Sequence, residues 1–125
     1  VSIALDGRRP INTGSNKIGS LIGDHAKTSI GTLFNTGTYV GAMTLIAATG
    51  KPLPKFIPNF AWYLEGIVTK GFGKRMLYET AAKAMRRRGC EWNEAEEAMW
   101  DAVHDLTEPT RKPAIEKGRR MMAAK

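Results

Sequence analysis

The chain has 125 residues, of which 42% are hydrophobic and 25% charged, enough for one domain with a modest core and unlike a disordered chain. Its formal net charge is +7, and its single cysteine, Cys90, excludes an internal disulfide framework and fits a reducing compartment. No apolar run approaches the roughly 20 residues that span a bilayer, and the first residues lack the charged-then-apolar order of a signal peptide. The expectation is a soluble cytoplasmic protein with no membrane partner.

At the start, Val1, Ile3 and Leu5 alternate, and Asp6-Gly7 is a two-residue turn signal. Arg8 to Ile11 could return as a partner strand, with Pro10 confining it to an edge. A small hairpin is expected over residues 1–17.

Residues 22–51 divide into sixes: IGDHAK, TSIGTL, FNTGTY, VGAMTL, IAATGK. The first positions hold Ile22, Thr28, Phe34, Val40 and Ile46. The fifth hold Ala26, Thr32, Thr38, Thr44 and Gly50, and the second hold the corner-suited Gly23, Ser29, Asn35, Gly41 and Ala47. A period of six is neither the 3.6 of a helix nor plain strand alternation. If each unit is a short strand plus a corner, three units close a triangular coil of 18 residues. Ile22 would then stack on Val40 and Thr28 on Ile46, with first and fifth positions pointing inward. The fold class expected over residues 18–50 is a short parallel β-helix in a mainly β chain.

From Lys51 the repeat stops. Pro52, Pro54 and Pro58 force an extended path, which Phe56, Ile57, Phe60, Trp62 and Tyr63 make strongly apolar. This exit segment, residues 51–68, is expected to wrap a coil face or cover an open end, with an aromatic ligand patch as the alternative.

Residues 69–125 read as helices. Met76, Leu77, Thr80, Ala81, Ala84 and Met85 share one side of a helix over Gly73–Arg88, and Gly89 is a natural stop. A second helix begins at Asn93 with Glu96 as capping-box partner, and Ala95, Met99, Ala102, Val103 and Leu106 form its stripe. Thr107 to Pro109 breaks the pattern, and Pro113 to Ala124 is a third basic helix or a frayed tail. The positive excess lies in this half, at Lys74–Arg75, Arg86–Arg88, Arg111–Arg120 and Lys125. It would attract an anionic partner or, more plainly, offset helix dipoles.

The stretch NKIGSLIGDHAKTSIGTLFNTGTYVG resembles the last coils of the left-handed β-helix in sugar-1-phosphate nucleotidyltransferase-like proteins. These are relatives of the bifunctional N-acetylglucosamine-1-phosphate uridylyltransferase and glucosamine-1-phosphate acetyltransferase. The preceding VSIALDGRRPINTGSNK resembles an insertion of that family, and GKPLPKFIPNFAW resembles the exit segment of a bacterial branch; the similarity spans about Val1 to Leu106. The resemblance implies a chain that begins mid-domain, without the nucleotidyltransferase half, and a homotrimer with Thr side chains, Tyr39 and Met43 facing the partner; the alternative is that the helices cover those faces and leave a monomer. It implies a sugar phosphate or nucleotide-sugar ligand in the parent protein, and acetyl-coenzyme A as the candidate cofactor. Backbone groups near Ala47 and Ala48 match positions that hold the pantetheine arm, and Lys27, Lys51 and Lys55 are candidates for its phosphates.

For catalysis, an acyltransferase needs a base and an oxyanion donor. His25, outward at the fourth position of its hexad, is the candidate base. The resemblance puts the catalytic histidine of relatives on an earlier coil and assigns the GDH of residues 23–25 to scaffold. His104, beside Asp101 and Asp105, reads as solvated. No Cys/His cluster has zinc spacing, and no Gly-rich loop precedes a Lys-Ser/Thr pair. Two functional readings stand: the C-terminal part of a sugar-nucleotide acyltransferase-like protein, incomplete as an active site, or a stand-alone trimeric binding module whose basic helices meet an anion. A nucleic-acid surface ranks last, for want of any motif.

Overall fold

The computed structural model describes residues 1–47 and 50–125. The N-terminal hairpin pairs β1 (Ser2–Ile3) with β2 (Ile11–Asn12). Its connection is wider than a two-residue turn, because the Asp6 carboxylate accepts from the amides of Arg8 and Arg9 at 2.9 and 2.8 Å and folds the loop on itself.

Two parallel ladders follow. In the first, β3 (Ser20–Ile22), β5 (Thr38–Val40) and β7 (Phe56–Ile57) lie in the order β3-β5-β7. The second runs β4-β6-β8-β9, with β4 (Lys27–Thr28), β6 (Leu45–Ile46), β8 (Trp62–Leu64) and β9 (Ile67–Thr69), the last antiparallel to β8. Ile22 pairs with Val40 and Thr28 with Ile46, residues eighteen places apart in sequence. The next layer is one residue shorter, Val40 on Ile57 and Ile46 on Tyr63. Val40, Ile46, Leu53 and Ile57 bury together between the ladders.

The expected mainly β chain built on a closed left-handed β-helix is corrected here. The molecule is mixed α/β: its helices, α1 (Lys74–Arg86), α2 (Glu94–Leu106) and α3 (Glu108–Ala123), run 13, 13 and 16 residues, while the longest strands among the described residues have three. No closed solenoid sheet forms among the described residues, where the third side of the expected tube is reduced to one bridge, Leu33 with Pro52. The physical reason is the proline-rich exit. Pro52 and Pro54 have no amide hydrogen to extend a ladder, and the chain beyond them spends its residues on helices.

The helices dock at one corner of the ladders. Residues 25, 43 and 60 occupy the same corner in successive layers, and all three are left-handed there, with φ of 60°, 56° and 57°. For non-glycine residues this is an uncommon backbone. Its amides are satisfied across layers, Met43 N–H to the Asp24 carbonyl and Phe60 N–H to the Ala42 carbonyl, each at 2.9 Å. The turn throws Met43 and Phe60 outward into a second core with Ala42, Leu77, Tyr78, Ala81 and Trp100. Met43 is 1% exposed, so the helices take the face that the trimer expectation gave to a partner subunit.

Helix α2 starts where its cap predicts: the Asn93 side chain accepts from the Glu96 amide at 2.8 Å. Helix α3 begins earlier than expected, at Glu108, and runs through Pro113. Pro109 is tolerated because first-turn amides need no intrahelical partner. Pro113 deprives the Pro109 carbonyl of its usual donor, and the Arg8 guanidinium reaches that carbonyl at 3.5 Å. No helix among the described residues is long and apolar enough to cross a membrane.

Candidate functional site

His25, the candidate base, stands at the outer layer of the left-handed corner. Its ring meets Trp100 edge-on at 5.7 Å and Trp92 at 6.4 Å. Both tryptophans are anchored on α2 or just before it, Trp100 Nε1 donating to Glu96 at 3.2 Å and Trp92 Nε1 to Glu97 at 3.3 Å. Burial is the main cause that pulls the His25 pKa below its ordinary value, and the charge of Lys27 adds to it; Asp24 and Glu96 oppose in part. The ring is therefore neutral at pH 7, which a base requires. Yet no described residue hydrogen-bonds to its ring nitrogens to orient it, and the groups its ring meets are the two tryptophans. Asp24 contributes charge and a backbone carbonyl, not an orienting contact.

The remaining expected contacts lie apart. Lys27, at the start of β4, is held on the His25 corner by donating to the His25 carbonyl at 3.2 Å, and its burial lowers its pKa. Lys55 precedes β7 at a different corner, where its ammonium donates to the Thr36 carbonyl. Lys51 is exposed in the connection between them. The Ala47 amide already donates to the Tyr63 carbonyl at 2.9 Å, so its N–H is committed to the ladder. Ala48 lies outside the described residues. Among the described residues no group of three or more His, Cys, Asp and Glu side chains could hold a metal.

His104 is not the solvated residue its acidic neighbours suggest. Its half-buried ring packs edge-on against Phe60 at 4.9 Å, and burial, then Arg111, lowers its pKa. Arg111 is the polar centre that the sequence conceals, being 5% exposed. Its Nη1 donates to Thr107 Oγ1 at 2.9 Å and to the Asn59 carbonyl at 3.4 Å, and its Nη2 donates to the His104 carbonyl at 2.8 Å. The guanidinium carbon stands 5.8 Å from the Phe60 ring centroid. It thus closes the C-terminus of α2 and ties α3 to the ladder corner. Among the described residues no carboxylate pairs with it, so three oxygen acceptors and a ring face compensate the buried charge.

A second polar cluster joins the helices. Asp101 accepts from Lys74 at 2.7 Å and from the Tyr78 hydroxyl at 2.8 Å. Burial, reinforced by that bond to Asp101, raises the Tyr78 pKa far above the usual phenol. Neither Arg111 nor Tyr78 carries a sequence signal, because each is identified by partners from distant segments.

Comparison with protein-family models, with curated proteins and with solved structures finds no match to this chain. The functional reading therefore rests on residues and geometry.

Proposed function

We propose that this chain is the scaffold part of a sugar-1-phosphate nucleotidyltransferase and acyltransferase-like protein, with no complete active site of its own. The observation that carries the proposal is the register of IGDHAKTSIGTLFNTGTYVG, the stretch on which the resemblance is strongest: its first residue, Ile22, pairs with Val40 eighteen places on. The outermost layer supports it. Leu21, Ile22, Leu33 and Phe34 are 45%, 54%, 48% and 38% exposed, and Ile30 is fully so, while among the described residues β3 and β4 each lack a neighbour on one edge. Apolar side chains beside free strand edges suit a surface on which further polypeptide stacks. The scaffold reading also accords with an unoriented His25 in an aromatic niche and with the committed amide of Ala47. In the parent, a sugar phosphate or nucleotide-sugar is the ligand and acetyl-coenzyme A the cofactor, and a cytoplasmic setting fits the unpaired, exposed Cys90.

The test is enzymatic and genetic. The purified chain is expected to show no acetyl transfer from acetyl-coenzyme A to glucosamine 1-phosphate and no saturable acetyl-coenzyme A binding by calorimetry. Turnover abolished by His25→Asn would overturn the scaffold reading. An in-frame stop codon immediately upstream in the gene, in place of a continuing frame with a Gly-rich nucleotidyl-binding loop, would overturn the parentage.

One observation favours the second reading, a stand-alone trimeric module for an anionic partner. Lys112, Lys117, Arg119 and Arg120 on α3 have no carboxylate within salt-bridge range among the described residues. With Met43 covered by α1 and α2, the half-exposed flank where Tyr39 stacks on Phe56 at 5.2 Å is the part of the expected trimer face still open to a partner. Light scattering that gives three chains per particle supports it.

A further inference from the structure

A cleft of about 860 Å³ opens between the β8–β9 hairpin and the C-terminal half of α3. Trp62, Ile67, Val68 and Phe72 line it on the hairpin side, and Ile115 and Met122 on the helix. The helix positions follow from Gly118: α3 seats so tightly on β9 that a Cβ there would overlap the Val68 carbonyl. Ile115, Arg119 and Met122 then share the helix face that borders this seat. Phe72 is 72% exposed and stacks edge-on against Trp62 at 4.9 Å, an apolar surface held open to solvent.

The charges of the cleft are one-sided. Lys70, Arg119 and Lys125 line it against Glu65 alone, and none of these four groups has an ion pair or side-chain hydrogen bond among the described residues. Lys70 and Arg119 also line an adjoining recess of about 270 Å³, to which Arg111 and Lys112 add positive charge and Glu108 and Glu116 negative, with His104 also in its lining. Two cations thus stand where an apolar trough meets a polar pocket. On the trough wall, the buried Trp62 Nε1 has no acceptor among the described residues.

We propose that this cleft binds a free amphiphilic anion, a linear apolar body ending in a carboxylate or phosphate. The body lies along Trp62, Phe72, Ile115 and Met122, and the head group lies between Lys70 and Arg119. The volume is that of a small-molecule site, and the pairing of an apolar trough with a charged terminus selects against neutral or cationic ligands. A concave trough admits a single molecule and not the face of a bilayer. The proposal uses elements distant from the outermost ladder layer, so it stands or falls apart from the parentage proposed above.

Calorimetric titration with dodecanoate and dodecyl phosphate, each below its micellar concentration, tests it, with dodecanol as the uncharged counterpart and phosphatidylglycerol vesicles as the lipid-surface arm. The expected result is saturable one-to-one binding of both anions, at least about tenfold tighter than dodecanol, because charge-assisted hydrogen bonds hold the head group. Lys70→Gln with Arg119→Gln, both on exposed side chains, is expected to remove that preference and leave dodecanol binding unchanged. Equal binding of dodecanol, anion binding indifferent to the double substitution, no saturable binding, or binding to vesicles alone would each overturn the assignment.

Discussion

At the residue scale, His25 shows how a catalytic-looking side chain is turned to packing. Its outward fourth position was legible in the hexad, although the pattern set the corner at the second position, Gly23, and the left-handed turn falls at His25 itself. Its partners were not, because Trp92 and Trp100 come from the entry to α2 and from α2 itself, some seventy residues later. Burial holds the folded pKa of His25 below 6.5, and His104 shifts in the same direction. A depressed histidine favours the neutral form in the fold, so its contribution is whole above the unfolded pKa. It is lost as pH falls through about 6.5 toward the lower folded value. The thermal midpoint is therefore expected to drop between pH 7.5 and 5.5. His25→Asn, which tolerates a left-handed backbone and does not titrate, is expected to flatten that drop in calorimetric scans. An unchanged pH profile in the variant would mean that His104 and the carboxylates carry the whole dependence.

At the element scale, helix starts were written locally and helix seats were not. Asn93 specifies the first turn of α2 through its side chain, a cap worth about 1 kcal/mol, while the Glu96 carboxylate, expected to complete a capping box, accepts from Trp100 instead. The start of α3 was misread, since Thr107-Glu108-Pro109 reads as a break in isolation. Pro113 strands the Pro109 carbonyl, and Arg8, a hundred residues away, is the side chain that approaches it. Gly118 carries the sharpest consequence. On helix propensity alone, Gly118→Ala would stabilise α3 by up to about 1 kcal/mol. Against that, the new methyl would overlap the Val68 carbonyl, a backbone group that cannot swing aside, and overpacking of this kind costs about 1–3 kcal/mol. The clash should win. Urea unfolding is expected to show a net loss of about 1–2 kcal/mol, and a gain would show that α3 does not rest on β9 in solution.

At the scale of the whole molecule, the apolar material is divided between two cores that share the ladder: one inside it, around Val40, Ile46 and Ile57, and one outside its left-handed corner, around Met43 and Phe60. The outermost layer belongs to neither. With β3 and β4 presenting free edges beside Ile22 and Ile30, the isolated chain is expected to self-associate there despite its +7 charge. Replacing both isoleucines by lysine should lower the weight-average mass in sedimentation equilibrium at about 100 μM and leave the thermal midpoint within a few degrees, as surface changes do. Unchanged association would place the contact elsewhere, with the Tyr39–Phe56 flank the next surface to alter.

The sequence by itself determined the spacing of the ladder, the second helix with its cap and the basic character of the C-terminal half. Each of these rests on a period or a composition that neighbouring residues express together. Only the tertiary structure decided that the helices outweigh the strands, that they cover Met43, that Arg111 is buried against Phe60 and that a cleft opens beside Gly118. Those outcomes depend on pairs of segments far apart in the chain. Packing between such segments is a property of the shapes that meet, and no local pattern records which shapes those will be.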